Sequence, residues 1–225
     1  MRASLFLAVG LIAALPSEAP AKQVTFTVDR HVFTFEIAPA RYGGYDPQDW
    51  PHWNARLGGQ CFTVRDKVLA EESYIPVITE PRRIGPPRPL GPGSAGQPPP
   101  FIHWCRVNSG FWIDPYSGRS IVPADLMAID HLVPLREAHA SGGYAWSSER
   151  RQAYANYLGD ANHLVAVAAD EHQRKAGRDP AIYLPPNAAF RCTYLAAWIR
   201  IKDAWGLNMD RREADAIAAA LPGCR

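Results

Sequence analysis

The stretch Ile129-Asp130-His131-Leu132-Val133-Pro134-Leu135 decides the reading of this chain. It is answered downstream by Asn162-His163-Leu164-Val165-Ala166-Val167 and by His172-Gln173-Arg174-Lys175. Ile129 to Leu135, stopped by Pro134, and His163 to Ala168 read as apolar strands, and Ala169 to Ala176, ended by Gly177, reads as a short helix. The order is strand, excursion, strand, helix: a ββα unit with an insertion between its strands. Asp130 is a hard oxygen ligand for Mg2+ or a similar cation, and His172 offers a nitrogen ligand from a helix. His131, beside the ion and off it, suits a general base, since an unperturbed imidazole titrates near ~6.5. Asn162 can hydrogen-bond backbone and hold the two strands in register. Lys175, three residues after His172 on the same helix face, and Arg178 can grip phosphate oxygens. Neighbours on a strand face opposite sides. Asp130 and His131 therefore share a pocket only if the strand ends or bulges there, and Pro134 supplies a reason for it to do so.

Outward from this unit the pattern is mixed α and β. Val24, Phe26 and Val28, then Phe33, Phe35 and Ile37, alternate with polar residues, and Asp29-Arg30-His31 can turn between them, so a hairpin is expected. Cys61 to Glu72 reads as a short helix with Val64, Val68 and Leu69 on one side, and Tyr74 to Thr79 as a strand. His103 to Val107 and Phe111 to Ile113 read as two short strands, followed by the turn Asp114-Pro115-Tyr116-Ser117-Gly118. Ser147 can cap a helix running to about Leu158, burying Ala153, Tyr154, Tyr157 and Leu158. Arg191 to Trp205 is an amphipathic helix ended by Gly206, with Leu195, Trp198, Ile199 and Trp205 as core candidates. Asp210 with Glu213 forms a capping box for a last helix stopped by Pro222-Gly223. No internal repeat is visible.

The chain has 225 residues, and the first 21 read as an export signal: Met1-Arg2, an apolar run from Leu5 to Leu15, and Ala19-Pro20-Ala21 as a cleavage site. The run is too short for a transmembrane helix, and no later stretch is apolar for long enough. A secreted or periplasmic protein, exported by a bacterial signal and holding no stable membrane association afterwards, is expected. Residues 22–84 form a hairpin and short-helix region. Residues 85–100, with seven prolines and four glycines, read as a linker or loop. Residues 101–225 carry the ββα unit. The four cysteines, Cys61, Cys105, Cys192 and Cys224, favour two disulfides in an exported protein. Of three pairings, Cys61–Cys105 with Cys192–Cys224 is preferred because each pair brackets its own segment. Neither pair has the spacing of a cysteine zinc site. A net charge of +2 decides little about partners.

The pattern resembles the HNH (ββα-metal) nucleases, and more closely the exported bacterial HNH proteins related to the C-terminal domain of GmrSD-type restriction enzymes. The matching text is Cys105-Arg106-Val107 with Ser109-Gly110, Trp112 to Gly118, Ile129 to Leu135, and Ala138 to Gly143 with Trp146. It continues through Tyr154-Ala155-Asn156, Asn162 to Val167, Arg174-Lys175 with Arg178-Asp179-Pro180, Leu184-Pro185-Pro186, and Cys192 with Trp198 and Trp205. It runs from about Phe101 to Cys224, with a weaker echo through Trp50, Cys61 and Val68 to Ser73. The resemblance implies an HNH core with an insertion between its strands and flanking helices; with the N-terminal hairpin read from the residues, the expected fold class is α+β. It implies His131 as general base, Asp130 as metal ligand and Asn162 as the middle, loop-fixing position. His172 falls where many relatives carry asparagine as the second ligand. One divalent metal is implied, Mg2+ or Mn2+ first, with imidazole opening the site to Ni2+ or Zn2+. The expected substrate is nucleic acid, DNA ahead of RNA, cut with low sequence specificity. Two other readings stand beside this one: a non-catalytic exported binding module on the same scaffold, and a structural zinc site built from His131, His139, His163 and His172.

Overall fold

The computed structural model describes residues 22–53, 61–82 and 104–224. The expected export signal and the Pro/Gly-rich stretch 85–100 lie outside them. The layering follows from one ribbon. Strands β6 (Met127–His131) and β7 (Leu164–Ala168) pair antiparallel, with Ile129 opposite Ala166, Asp130 opposite Val165 and His131 opposite Leu164. All five residues of β7 are buried; a strand with one wet face would alternate. Val165 and Val167 enter one core, and Leu164 and Ala166 enter another.

The first core is closed by the hairpin β1 (Gln23–Val28)–β2 (His31–Glu36), which delivers Phe26 and Phe35, together with Trp50, Tyr154, Trp198, Ile199, Met209 and Ile217. Asp29 and Arg30 both take positive φ, 49° and 67°, the two-residue turn that matches strand twist in a tight hairpin. The second core holds Val64, Val68 and Leu69 of helix α1 (Val64–Glu72), Val107 and Trp112, and the Met127–Ile129 face of β6. A three-stranded antiparallel sheet, β3 (Ile78–Arg82), β4 (Trp104–Ile113) and β5 (Ser120–Pro123), contributes its central strand to this core. Glu72 at the end of α1 accepts a hydrogen bond from the Ala166 amide at 2.9 Å and so covers the outer edge of β7. The Cys61–Cys105 and Cys192–Cys224 disulfides are both formed. The first ties the entry of α1 to β4, and the second ties helix α5 (Ala188–Trp205) to the chain beyond helix α6 (Arg211–Ala220).

Several elements differ from the sequence reading, each for a local reason. β3 begins at Ile78, because the Ser73 hydroxyl donates to the Ile75 carbonyl (2.7 Å) and turns the chain over Tyr74 and Ile75. The two short strands expected around Ser109-Gly110 are one strand with an irregular register against β3 and β5. Leu135 opens helix α2 (Leu135–Ala140) after Pro134 instead of ending a strand, a position where a missing N–H costs nothing. Helix α3 (Ser148–Ala155) stops three residues short of Leu158, and Asn156 donates its carboxamide to the Gln152 and Pro51 carbonyls. Tyr154 and Ala155 are buried there, while Ala153 and Tyr157 are exposed. The capping box is present: Asp210 accepts from the Glu213 amide, and Glu213 from the Asp210 amide. Gly206 ends α5 at φ 65°.

α5, α6 and α2 are locked by a buried charge cluster that composition alone did not announce. Lys202 is fully buried, and its ammonium meets Glu137 (2.7 Å), Glu213 (2.6 Å), the Ser141 hydroxyl (2.9 Å) and the Asn208 carbonyl (3.0 Å). The Trp198 indole donates to the second Glu213 oxygen at 2.6 Å. Removing one partner of such a cluster leaves a charge in the interior, which costs ~3–5 kcal/mol. Lys202→Met should therefore lower stability by about that amount in urea denaturation with both disulfides intact.

Candidate functional site

Asp130 is the pivot. It is 2 % exposed, and a buried carboxylate needs partners for its acceptor sites. Oδ2 accepts from the Tyr116 hydroxyl (2.6 Å) and from the Lys175 ammonium (2.8 Å). Oδ1 accepts from Lys175 (3.0 Å) and faces His172 Nε2 at 3.4 Å. Lys175 also donates to the His131 carbonyl at 2.9 Å, so helix α4 (Ala169–Lys175) is bolted to the end of β6. Burial pushes the Lys175 ammonium below its ordinary pKa and Asp130 opposes the shift, while burial and then Asp130 raise the Tyr116 hydroxyl well above its own. α4 is also fastened by Tyr183, which donates to buried Glu171 at 2.8 Å, and by Arg119, which pairs with Asp170.

His131 ends β6, and the chain leaves the strand there, so Asp130, His131 and His172 all line one cleft of about 320 Å³. The ring of His131 lies between Trp53 (centroids 5.3 Å apart, 28° between planes) and Tyr154 (6.4 Å, 10°), with His52 edge-on at 5.7 Å. Its Nε2 lies 2.9 Å from the Ala155 carbonyl. A carbonyl only accepts, so Nε2 carries the proton and Nδ1 keeps its lone pair. Nδ1 has no protein partner among the described residues and is not sealed from solvent. Burial drives the His131 pKa well below its usual value; the Ala155 carbonyl opposes this, and His163, His52 and Lys175 add to it. A buried, neutral imidazole with one free nitrogen facing a cleft is equipped to accept a proton.

Could a cation share Asp130 with Lys175? A carboxylate has about four acceptor positions. Tyr116 and Lys175 occupy three, and the remaining one, on Oδ1, faces His172. Two ligand atoms at tetrahedral positions on an ion with bonds of ~2.1 Å lie about 3.4 Å apart, and the Oδ1–Nε2 separation is 3.4 Å. Asp130 and His172 fit one ion. Among the described residues no three His, Cys, Asp or Glu side chains gather as a ligand set, so the four-histidine structural site is not assembled there.

Three of the expected site residues hold other positions. Lys175 is fully buried beneath Asp130 and presents nothing to a substrate. Arg178 is exposed and donates to the Arg174 carbonyl. Asn162 is half-buried in the turn before β7: its backbone amide bonds Asp160 Oδ1 at 2.8 Å, and its carboxamide makes no hydrogen bond among the described residues. The holding role falls to His163. It is 1 % exposed, its carbonyl accepts from Leu132 N (3.1 Å), and its Nε2 bonds the Tyr154 carbonyl (2.8 Å) beside the one His131 uses. The register decides this: His131 pairs with Leu164, so the residue continuing that ladder is His163. Tyr116 carried no signal, being an aromatic inside a polar turn.

The end of α4 shows a further departure. Gly177 was expected to supply the left-handed stop. Instead Ala176 takes φ 48°, ψ −136°, a region that strains any residue with a Cβ. Gly177 serves a close approach: an added Cβ would lie 3.1 Å from Arg136 Cδ and 3.3 Å from Arg136 Cβ.

The chain is 32 % identical over 181 residues to an uncharacterized secreted protein of Arthroderma benhamiae, across 80 % of this chain and 76 % of that protein, and it belongs to the same family. No protein-family model and no solved structure matches it.

Two measurements bear on this site. Ala176→Gly relieves strain of ~1–3 kcal/mol and gives back ~0.4–1 in unfolded-state entropy, so a melting temperature raised by roughly 2–4 °C is expected. Burial, opposed by the Tyr154 carbonyl and Asp160, lowers the His163 pKa from 6.5 to about 4. The unfolded chain then binds the extra proton first as pH falls. The stability tied to His163 is full above pH 6.5 and is lost on descending through about 4, on the order of 3 kcal/mol. Denaturation midpoints across that range should fall less steeply in His163→Asn.

Proposed function

We propose that this chain is an exported, metal-dependent endonuclease of the HNH (ββα-metal) class that hydrolyses nucleic-acid phosphodiesters with low sequence specificity. The observation that carries the reading is the meeting of Asp130 Oδ1 and His172 Nε2 at 3.4 Å, in the cleft into which His131 is turned with Nδ1 free. The β6–β7–α4 unit, with α2 and α3 inserted between its strands, is the scaffold such a site uses. Export is supported by the two disulfides, by the apolar N-terminal run, and by a family member described as secreted. Among the described residues no helix is long and apolar enough to cross a membrane.

The chemistry divides among the residues as follows. Asp130 and His172 would hold a divalent ion, which would supply positive charge near the phosphate and the leaving oxygen. His131 Nδ1 takes the proton of the attacking water, and Ala155 keeps the ring in the tautomer that can do so. Tyr116 and Lys175 hold the Asp130 carboxylate in one orientation. Trp53 and Tyr154 fix the plane of the imidazole. No base-reading module is visible in the sequence, so binding rests on backbone phosphates and weakens with salt. DNA is the first substrate to try.

A second reading, a non-catalytic binding module, draws on Lys175, which already neutralises Asp130. Plasmid nicking with Mg2+, Mn2+, Ni2+ and Zn2+ separates the two. Cleavage with at least one ion is expected, with His131→Ala slowed ~10²–10⁴-fold while remaining folded and His172→Ala losing its metal response. Cleavage by His131→Ala at the wild-type rate would reject the assignment, and no cleavage with any of the four ions would favour the binding module.

A further inference from the structure

The cleft that holds His131 and His172 contains one guanidinium that no carboxylate among the described residues pairs with. Arg136 lines it, is exposed, and has no carboxylate partner among the described residues. Among the described residues lining the cleft it is the only Lys or Arg. Outside the cleft, Arg174 is paired with Glu171 and Asp170, Arg119 with Asp170, and Arg178 with a backbone carbonyl.

Arg136 is also held in place. Its guanidinium carbon lies 4.6 Å from the centroid of the Tyr42 ring, a cation–π distance. Tyr42 in turn donates to Glu137 Oε2 at 3.3 Å, and Glu137 belongs to the buried Lys202 cluster. The methylene stem of Arg136 runs over Gly177, where a side chain would crowd it. A long side chain normally loses much rotamer freedom when it grips a ligand. Here that ordering is already built into the fold, while the planar fork of donors remains unspent, the form in which arginine recognises phosphate.

We infer that Arg136 is the phosphate-gripping subsite of this cleft, binding a non-bridging oxygen of a nucleic-acid phosphodiester and seating the strand against His131. The inference rests on the nuclease reading for its substrate class. It gives to Arg136 the role the sequence had suggested for Lys175 and Arg178. Tyr42 and Gly177 are positioning residues, acting through the place they give the Arg136 side chain.

The test is binding of short single- and double-stranded DNA to the full chain, followed by fluorescence anisotropy in chelator at a series of salt concentrations. Cleavage with the preferred metal is measured in parallel. Arg136→Ala should weaken DNA binding about tenfold and make the slope of log K against log salt shallower by about 0.9, the loss of one phosphate contact on duplex DNA. It should raise KM more than it lowers kcat, with the melting temperature held. Arg136→Lys should keep the salt slope and lose part of the affinity, because it keeps the charge and gives up the fork. Unchanged affinity and slope in Arg136→Ala, with wild-type cleavage intact, would overturn this assignment and leave the nuclease reading standing. Loss of binding in Arg136→Ala, with His131→Ala cleaving normally, would support the subsite and reject the base. A wild type that neither binds nor cuts DNA or RNA overturns both.

Discussion

The Lys175–Asp130 pair is the constraint on which the site depends. An ammonium buried to 0 % exposure is costly unless its charge and all its donors are answered. Asp130 and the His131 carbonyl answer them, and both belong to the last two residues of β6. The pair therefore does two things at once: it presses α4 against the end of the β6–β7 ribbon, and it marks where the strand must stop. With α4 fixed by Lys175, His172 three residues earlier is carried to Asp130 Oδ1. Directly after Lys175, at Ala176, the chain leaves the helix through a conformation suited to glycine.

The fold contains a second fully buried lysine, and the contrast between the two explains why only one lies at a site. Lys202 faces two carboxylates, a hydroxyl and a carbonyl, more acceptors than its three N–H groups can fill. Burial raises the Glu213 pKa to about 8, with Lys202 opposing and Glu137 adding to the shift. That cluster is closed in hydrogen-bonding terms and serves to hold α2, α5 and α6 together. There the acceptor positions that Lys202 leaves are used by Trp198, Ser141, Tyr42 and the Asp210 amide, whereas at Lys175 one is left over. One carboxylate faces the ammonium and the Tyr116 hydroxyl, and an acceptor position is left on Oδ1 toward the cleft. A saturated cluster specifies packing; an unsaturated one leaves capacity for a ligand.

The sequence made the ribbon legible because period and punctuation agreed: apolar runs of strand length, Pro134 after the first, a short amphipathic helix after the second. The hairpin, the capping box and both disulfides were legible for the same kind of reason, a local signal with a local consequence. The side-chain roles were harder. Lys175 and Arg136 are both basic residues in polar surroundings, and composition cannot tell a buried counter-ion from an exposed donor. Asn162 and His163 are neighbours, so choosing between them required the register of β7 against β6, which is a tertiary fact. Helix α2 was hidden because a proline that ends a strand and a proline that starts a helix look alike until the following turn is built.

The insertion between the two strands also shapes the candidate site. A helix end leaves carbonyls without intrahelical partners. At the end of α3 the two that point back toward the ribbon, those of Tyr154 and Ala155, are taken by His163 and His131. Each bond requires Nε2 to carry its ring's proton. For His163 the consequence is structural: its Nδ1 is buried and unpaired, and the ring stays neutral to low pH. For His131, which lines the cleft, the same tautomer leaves Nδ1 without a partner among the described residues. The excursion that separates β6 from β7 in sequence thus returns to decide which nitrogen of the catalytic candidate can act. Shortening α3 by one turn would remove both carbonyls while leaving every acidic and imidazole side chain of the site in the chain.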